Sequence, residues 1–133
     1  MKLHVNTSSR LPIYQQLGGQ IREAIARGEL RPEHKLPSVR QLSRELVVNP
    51  NTIARAYLEL ESAGLVVSRP GLGVFVSHAQ PDLTRDARNR QLGQLIDDLL
   101  TGAVHLGFSA DELLAYVGRR AKEFQWKPIE PKS

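Results

Sequence analysis

The stretch LPSVRQLSRELVVNPNTIARAYLELESAGLVVSRPGLGVFV, Leu36 to Val76, decides the fold of this chain. At its centre lies VVNPNTIARAY, Val47 to Tyr57, with a proline between two asparagines ahead of an apolar-periodic run. Asn49 suits an N-cap, and Pro50 suits the first helical position, where its missing N–H costs nothing. Ile53, Ala56, Tyr57 and Leu60 then recur at helical spacing toward a core, while Asn51, Thr52, Arg55, Glu59 and Ser62 face away. This helix is expected to run to about Ala63 and to stop at Gly64. Upstream, Ser38 followed by Gln41 reads as a capping box opening a short helix, about Ser38 to Leu46. Val39, Leu42 and Leu46 form its inward stripe, and Arg40 and Arg44, four apart, share the opposite face. Val47 to Asn49 leave room only for a tight turn. Downstream, two β-branched and apolar runs flank Arg69-Pro70-Gly71-Leu72-Gly73, a hairpin with a glycine-bearing tip.

Working outward, Leu11–Pro12 reads as a turn into a helix from Ile13 to Arg27. Ile13, Leu17, Ile21 and Ile25 share one face of it, and Gly28 is placed to end it. Gly18–Gly19 inside this pattern costs ~1 kcal/mol per glycine against alanine. Either another backbone passes close there or the helix is weak. The order helix, helix, tight turn, helix, hairpin is that of a winged helix-turn-helix: mainly α, with a small β-hairpin wing.

Ser77 to Pro81 reads as a linker. A helical segment from about Asp82 carries Leu92, Ile96, Leu99 and Ala103 at helix spacing, with a Schellman-type stop at Gly107–Phe108. Ser109 to Glu112 forms a second capping box, opening a helix with Leu113, Val117, Ala121 and Phe124 on one side. Two such helices are below the size that buries a stable core alone. Their apolar stripes need a partner surface, and a second copy of the chain is the simplest, giving a symmetric dimer. The alternative is that both helices fold back on the first domain. The expected organisation is a DNA-binding domain over 1–77, a two-helix dimerisation and candidate effector region over 78–127, and a disordered tail over 128–133.

The 133 residues are 41% hydrophobic and 24% charged, an ordinary globular balance. The net charge of +4 is unevenly placed. From Met1 to Ala79 there are ten Lys/Arg against six Asp/Glu, and eight of each follow, so the surplus lies in the first part. That distribution points to a polyanion partner for the first part. With no cysteine there is no disulfide framework or thiolate site. No apolar run reaches the roughly 20 residues of a membrane span. The N-terminus lacks an apolar signal core, so a cytoplasmic protein is expected.

A helix-turn-helix presents the N-terminal residues of its second helix to base edges in the major groove. The unpaired N–H groups and positive dipole end there attract phosphate. Small residues allow close approach, which accounts for the NPNT wording. Asn51 can pair bidentately with adenine, Thr52 can touch a phosphate or a thymine methyl, and Arg55 can reach guanine one turn later. Asn49 chiefly sets where the helix begins. Arg40 and Arg44 lie on the same side, and Arg69 and Gly71 would let the wing approach the backbone or minor groove.

The Leu36–Val76 stretch resembles the DNA-binding domain of GntR-type bacterial transcription regulators, and PIYQQLGGQIREAIARGEL resembles their first helix. The VNPNTIARAYLELE wording with a short two-helix tail is most similar to the YtrA-type branch. The resemblance implies a homodimer on palindromic double-stranded DNA, usually acting as a repressor. It also implies DNA contacts at Ser38, Arg40, Asn51, Thr52, Arg55 and Gly71. Two loop positions depart from the family. Glu33 follows Pro32 where Gly is usual, and Val47 stands where Gly is often found. A β-branched residue at positive φ is an outlier, so the turn is expected to avoid that conformation.

An enzyme is disfavoured. His4, His34, His78 and His105 have no ligand spacing, and no glycine loop cradles a phosphate, so neither metal nor cofactor is expected. The other reading is a winged-helix protein-interaction module without specific DNA binding. Such surfaces carry apolar anchors, whereas this helix face offers Asn, Thr, Arg and Glu. Two helices enclose little volume, so a small-molecule effector, unidentified, is expected at the dimer interface or between domains; the alternatives are another protein as effector, or none.

Overall fold

The computed structural model describes residues 2–78 and 84–126. Its elements are α1 (Ile13–Ala26), α2 (Val39–Leu46), α3 (Pro50–Ser62), β1 (Val66–Arg69), β2 (Gly73–Val76), α4 (Arg85–His105) and α5 (Ala110–Ala121). They fall into two compact units, residues 2–78 with 125–126, and residues 84–124.

The first unit is a winged helix-turn-helix. Its core joins Leu17, Ile21 and Ala24 of α1 to Leu42 of α2 and to Ile53, Ala56, Tyr57 and Leu60 of α3. Leu36, Val66 and Val76 carry that core under the hairpin. Tyr57 also donates its buried hydroxyl to the Pro37 carbonyl at 2.7 Å, tying α3 to the approach of α2. Both α1 and α3 end in Schellman motifs. Gly28 at φ 81° and Gly64 at φ 78° supply the left-handed residue, and Glu29 and Leu65 reach back to the carbonyls of Ala24 and Leu60.

The hairpin pairs Val66 with Val76 and Arg69 with Gly73 in antiparallel register. A third extended segment, which local patterning did not disclose, lies along β2. Lys35 bridges Phe75, Leu36 donates to Val74, and Glu33 and Val76 donate to Val76 and His34 respectively. The N-terminal extension is pinned to α1 by two glutamines. Gln20 accepts from the His4 N–H and donates to its carbonyl, and Gln16 does the same for Asn6. Each amide stands in for a neighbouring strand.

One open alternative narrows and one local expectation needs correction. A Cβ built on Gly18 or Gly19 meets nothing within 4 Å, so among the described residues no backbone passes close there. The reading that remains is a helix weakened by two glycines. The Ser38 hydroxyl accepts from the Gln41 N–H, but the Gln41 side chain donates to Glu45 one turn on, so the box is half made.

Val47 is a second correction, because it does adopt positive φ, at φ 54° and ψ 53°. The physical reason is the shortness of the turn. Val47 and Val48 both donate to the Ser43 carbonyl, and a left-handed residue lets the chain close there and still reach Asn49. Half-buried Val48, packed against the core, holds the turn in place. A left-handed L-residue costs roughly 1–2 kcal/mol, and Val47 is 90% exposed, so little packing offsets it. Val47→Gly is expected to raise stability by about 0.5–1 kcal/mol, the relief exceeding the extra freedom glycine gives the unfolded chain. Urea unfolding checks this, and a lower midpoint for the glycine variant would show that the turn is not strained.

In the second unit, α4 is capped by Thr84, whose hydroxyl accepts from the Ala87 N–H. The expected start near Asp82 and the tail 128–133 lie outside the described residues. Gly107 at φ 85° and Phe108 complete the Schellman stop, bonding to Val104 and Ala103. Ser109 and Glu112 make the full capping box, which holds the Glu112 carboxyl below its usual range. α5 ends at Ala121, so Phe124 lies beyond the helix rather than on its stripe. There the Phe124 N–H turns back to the Ala121 carbonyl. Among the described residues of this unit, only Ala103 is buried. Leu92, Leu95, Ile96, Leu99, Leu100 and Val104 are all exposed.

Candidate nucleic-acid interface

One N-cap sets the start of each helix in the motif. Ser38 caps α2, and Asn49 Oδ1 accepts from the Asn51 N–H at 2.8 Å to cap α3. The Asn49 oxygen is thus used in the cap, leaving its amide group for other contacts. Asn51 is exposed and Thr52 half-exposed on the first turn of α3. Arg40 and Arg44 stand exposed on α2, and neither has an ion-pair partner among the described residues.

Arg55 is held differently. Its guanidinium carbon lies 3.8 Å from the centre of the Tyr14 ring on α1. Sequence reading missed Tyr14, since the two residues meet only once α1 crosses α3.

The wing carries two of the expected contact residues. Gly71, at φ 75°, occupies the third place of a turn closed by the Leu72 N–H on the Arg69 carbonyl, with Pro70 before it. A type II turn of that form requires positive φ at this place. Gly71 therefore serves the turn, and its exposed backbone stands at the tip. Arg69 is not available as the sequence suggested. Its two terminal nitrogens donate to both Glu33 oxygens, at 2.8 and 2.9 Å, and its guanidinium lies over Phe75. The Arg69 hydrogen bonds hold the Glu33 carboxyl below its ordinary range, with His78 adding at 3.2 Å. Glu33 itself sits at φ 71°. To touch a phosphate, Arg69 would have to leave this carboxylate.

Among the described residues, no group of His, Asp and Glu could hold a metal ion, and no helix is long and apolar enough to cross a membrane.

This α2–turn–α3 geometry with its wing coincides with a known family profile. The profile described as bacterial regulatory proteins, gntR family, matches residues 13–76, from the start of α1 to the end of β2. The chain belongs to the GntR family. As a GntR regulator it is a DNA-binding transcription factor, not an enzyme. It is similar to the HTH-type transcriptional repressor YtrA of Bacillus subtilis, 29% identical over 86% of this chain and 88% of that protein. It is also similar to the uncharacterized HTH-type regulator YhcF of the same organism, at 35% over 80% and 87%. Among solved structures, a transcriptional antiterminator from Listeria monocytogenes superposes with a TM-score of 0.77, at 26% identity and 98% coverage of both chains. The DNA-binding domain of AraR, crystallised with its operator ORX1, matches with a TM-score of 0.53 at 32% identity, over 58% of this GntR chain and 99% of that one.

Proposed function

We propose that this regulator is a cytoplasmic homodimeric repressor of a palindromic operator, in which α3 reads bases and α2 and the wing hold the phosphate backbone. The repressor assignment is carried over from the similarity to YtrA, and operator binding by the matching domain is known for AraR. The observation that carries the DNA reading is the row Asn51, Thr52, Arg55. It opens α3, and its side chains are polar and turned out of the core. Asn51 pairs with adenine, Arg55 with guanine, and Thr52 with a phosphate or a thymine methyl. Ser38, Arg40 and the Gly71 backbone contact phosphates, with Arg44 and Asn49 at the margin. Arg69 joins them only by exchanging Glu33 for phosphate. The exposed stripes of α4 and α5 join two copies and set the spacing of the two reading heads. The hollow of ≈ 480 Å³ bounded by Leu99, Ala103, Leu106, Phe108, Leu113 and Tyr116 shares Leu99 with the proposed dimer stripe, which would place a small-molecule effector at the dimer interface.

The test is selection of bound sequences from a random DNA pool, followed by salt titration of the winner. A palindromic winner with a steep salt slope supports the reading, and binding without sequence preference counts against it. Arg55→Ala is expected to cost about 1–3 kcal/mol and to relax preference at one base pair of each half-site. Arg40→Ala should instead weaken all sequences alike and flatten the salt slope. Uniform loss in both variants would remove Arg55 from the base-reading set.

A further inference from the structure

Of the three exposed arginines of α2 and α3, Arg40, Arg44 and Arg55, only Arg55 is seated on an aromatic ring, and its seat comes from a different helix. Tyr14 stands in the first turn of α1 and is half-buried, packed against the core by its ring. Gln15 donates to its hydroxyl at 3.0 Å. The ring is thus fixed by the fold before any DNA arrives. A guanidinium laid over a ring gives up one face and keeps its N–H donors, which point outward in its own plane. Arg55 has no carboxylate partner among the described residues, so that donor edge is uncommitted. Arg69 provides the contrast, since Glu33 engages both its terminal nitrogens.

We infer that Tyr14 is a positioning residue for DNA recognition, holding the Arg55 guanidinium in its bound orientation so that less rotamer freedom is lost on binding. The inference rests on the proposed role of α3 in reading DNA. A long arginine chain loses considerable side-chain entropy when fixed. A stacking surface supplied in advance removes part of that loss, which is preorganisation.

The experiment is a double-mutant cycle on the full-length protein and its selected DNA site, with Tyr14→Leu, Tyr14→Phe and Arg55→Ala. Tyr14→Leu is expected to weaken binding about two- to fivefold, the range of an exposed cation–π contact. The loss should fall on the same base pairs that Arg55→Ala affects, and vanish when Arg55 is already alanine. Tyr14→Phe keeps the ring face and should stay within about twofold of the parent. Melting of each variant separates this from a loss of folded protein.

Three outcomes would overturn the inference. Equal losses from Tyr14→Leu with and without Arg55 would place Tyr14 in another role. A Phe variant as weak as the Leu variant would show that the hydroxyl acts, not the ring. A Tyr14→Leu variant that binds like the parent would show that the stack contributes nothing. Failure of the base-reading proposal is seen separately, in the response of Arg55→Ala alone, because the cycle measures coupling whether Arg55 meets a base or a phosphate.

Discussion

Leu95→Glu combined with Leu99→Glu is expected to turn the protein into a monomer and to weaken binding to a full palindrome by about 10²- to 10⁴-fold. Both leucines lie on α4, at 66% and 48% exposed, so neither is needed to complete its own unit. In a symmetric dimer each substitution occurs twice, and burying a leucine is worth about 1.5–3 kcal/mol against leaving it exposed. The variant loses four such burials and must also place carboxylates in an apolar contact, which is strongly unfavourable unless they are paired. The loss on DNA has a different origin. Once one head is bound, the second binds at an effective concentration in the millimolar range, and a monomer lacks that gain. Binding to an isolated half-site should therefore be unchanged. Sedimentation gives the mass, and titrations on half and full sites give the two affinities. A double-glutamate protein that remains dimeric would place the interface elsewhere. Removal of all residues after Val76 should give the same monomeric behaviour.

The exposed stripe of Leu92, Ile96 and Leu99 on α4 was legible in the sequence, because a helical stripe needs only local spacing. Ala103 is the exception on α4, since it is already covered within its own chain. The caps at Ser38, Asn49 and Ser109 were legible for the same reason: each joins residues two or three apart. What escaped was set by tertiary contact. The strip Glu33 to Leu36 pairs with β2, whose residues lie far along the chain. The Glu33–Arg69 pair spans 36 positions, and nothing local foretells that this arginine is engaged. Val47 failed in the opposite direction. Intrinsic preference argued against positive φ, and closure of a three-residue turn over a packed Val48 overrode it.

Ile53→Ala is expected to destabilise the first unit by about 2–5 kcal/mol, the usual range for truncating a buried isoleucine. Ile53 has no accessible surface and sits among α1, α2 and α3 in the first turn of the proposed reading helix. Its loss would leave a void under Asn51 and Thr52, where the backbone must be held for any base contact. A domain of this size is typically stable by 5–15 kcal/mol, so the variant would retain only part of that margin. At about 4–8 °C per kcal/mol, the melting midpoint should fall by roughly 8–40 °C. A fall of less than about 1 kcal/mol would mean that the site collapses to fill the void. The comparison with Arg55→Ala gives the measurement its value. Both residues lie on α3 two positions apart, one turned inward and one outward. Below its midpoint, folded Ile53→Ala should bind DNA with the sequence preference of the parent. Arg55→Ala should melt close to the parent, short only of the ring contact with Tyr14, and lose preference at one base pair. If instead Ile53→Ala changed the preferred sequence while folded, the first turn of α3 would depend on core packing for its register, and recognition could not be assigned to the outward residues alone.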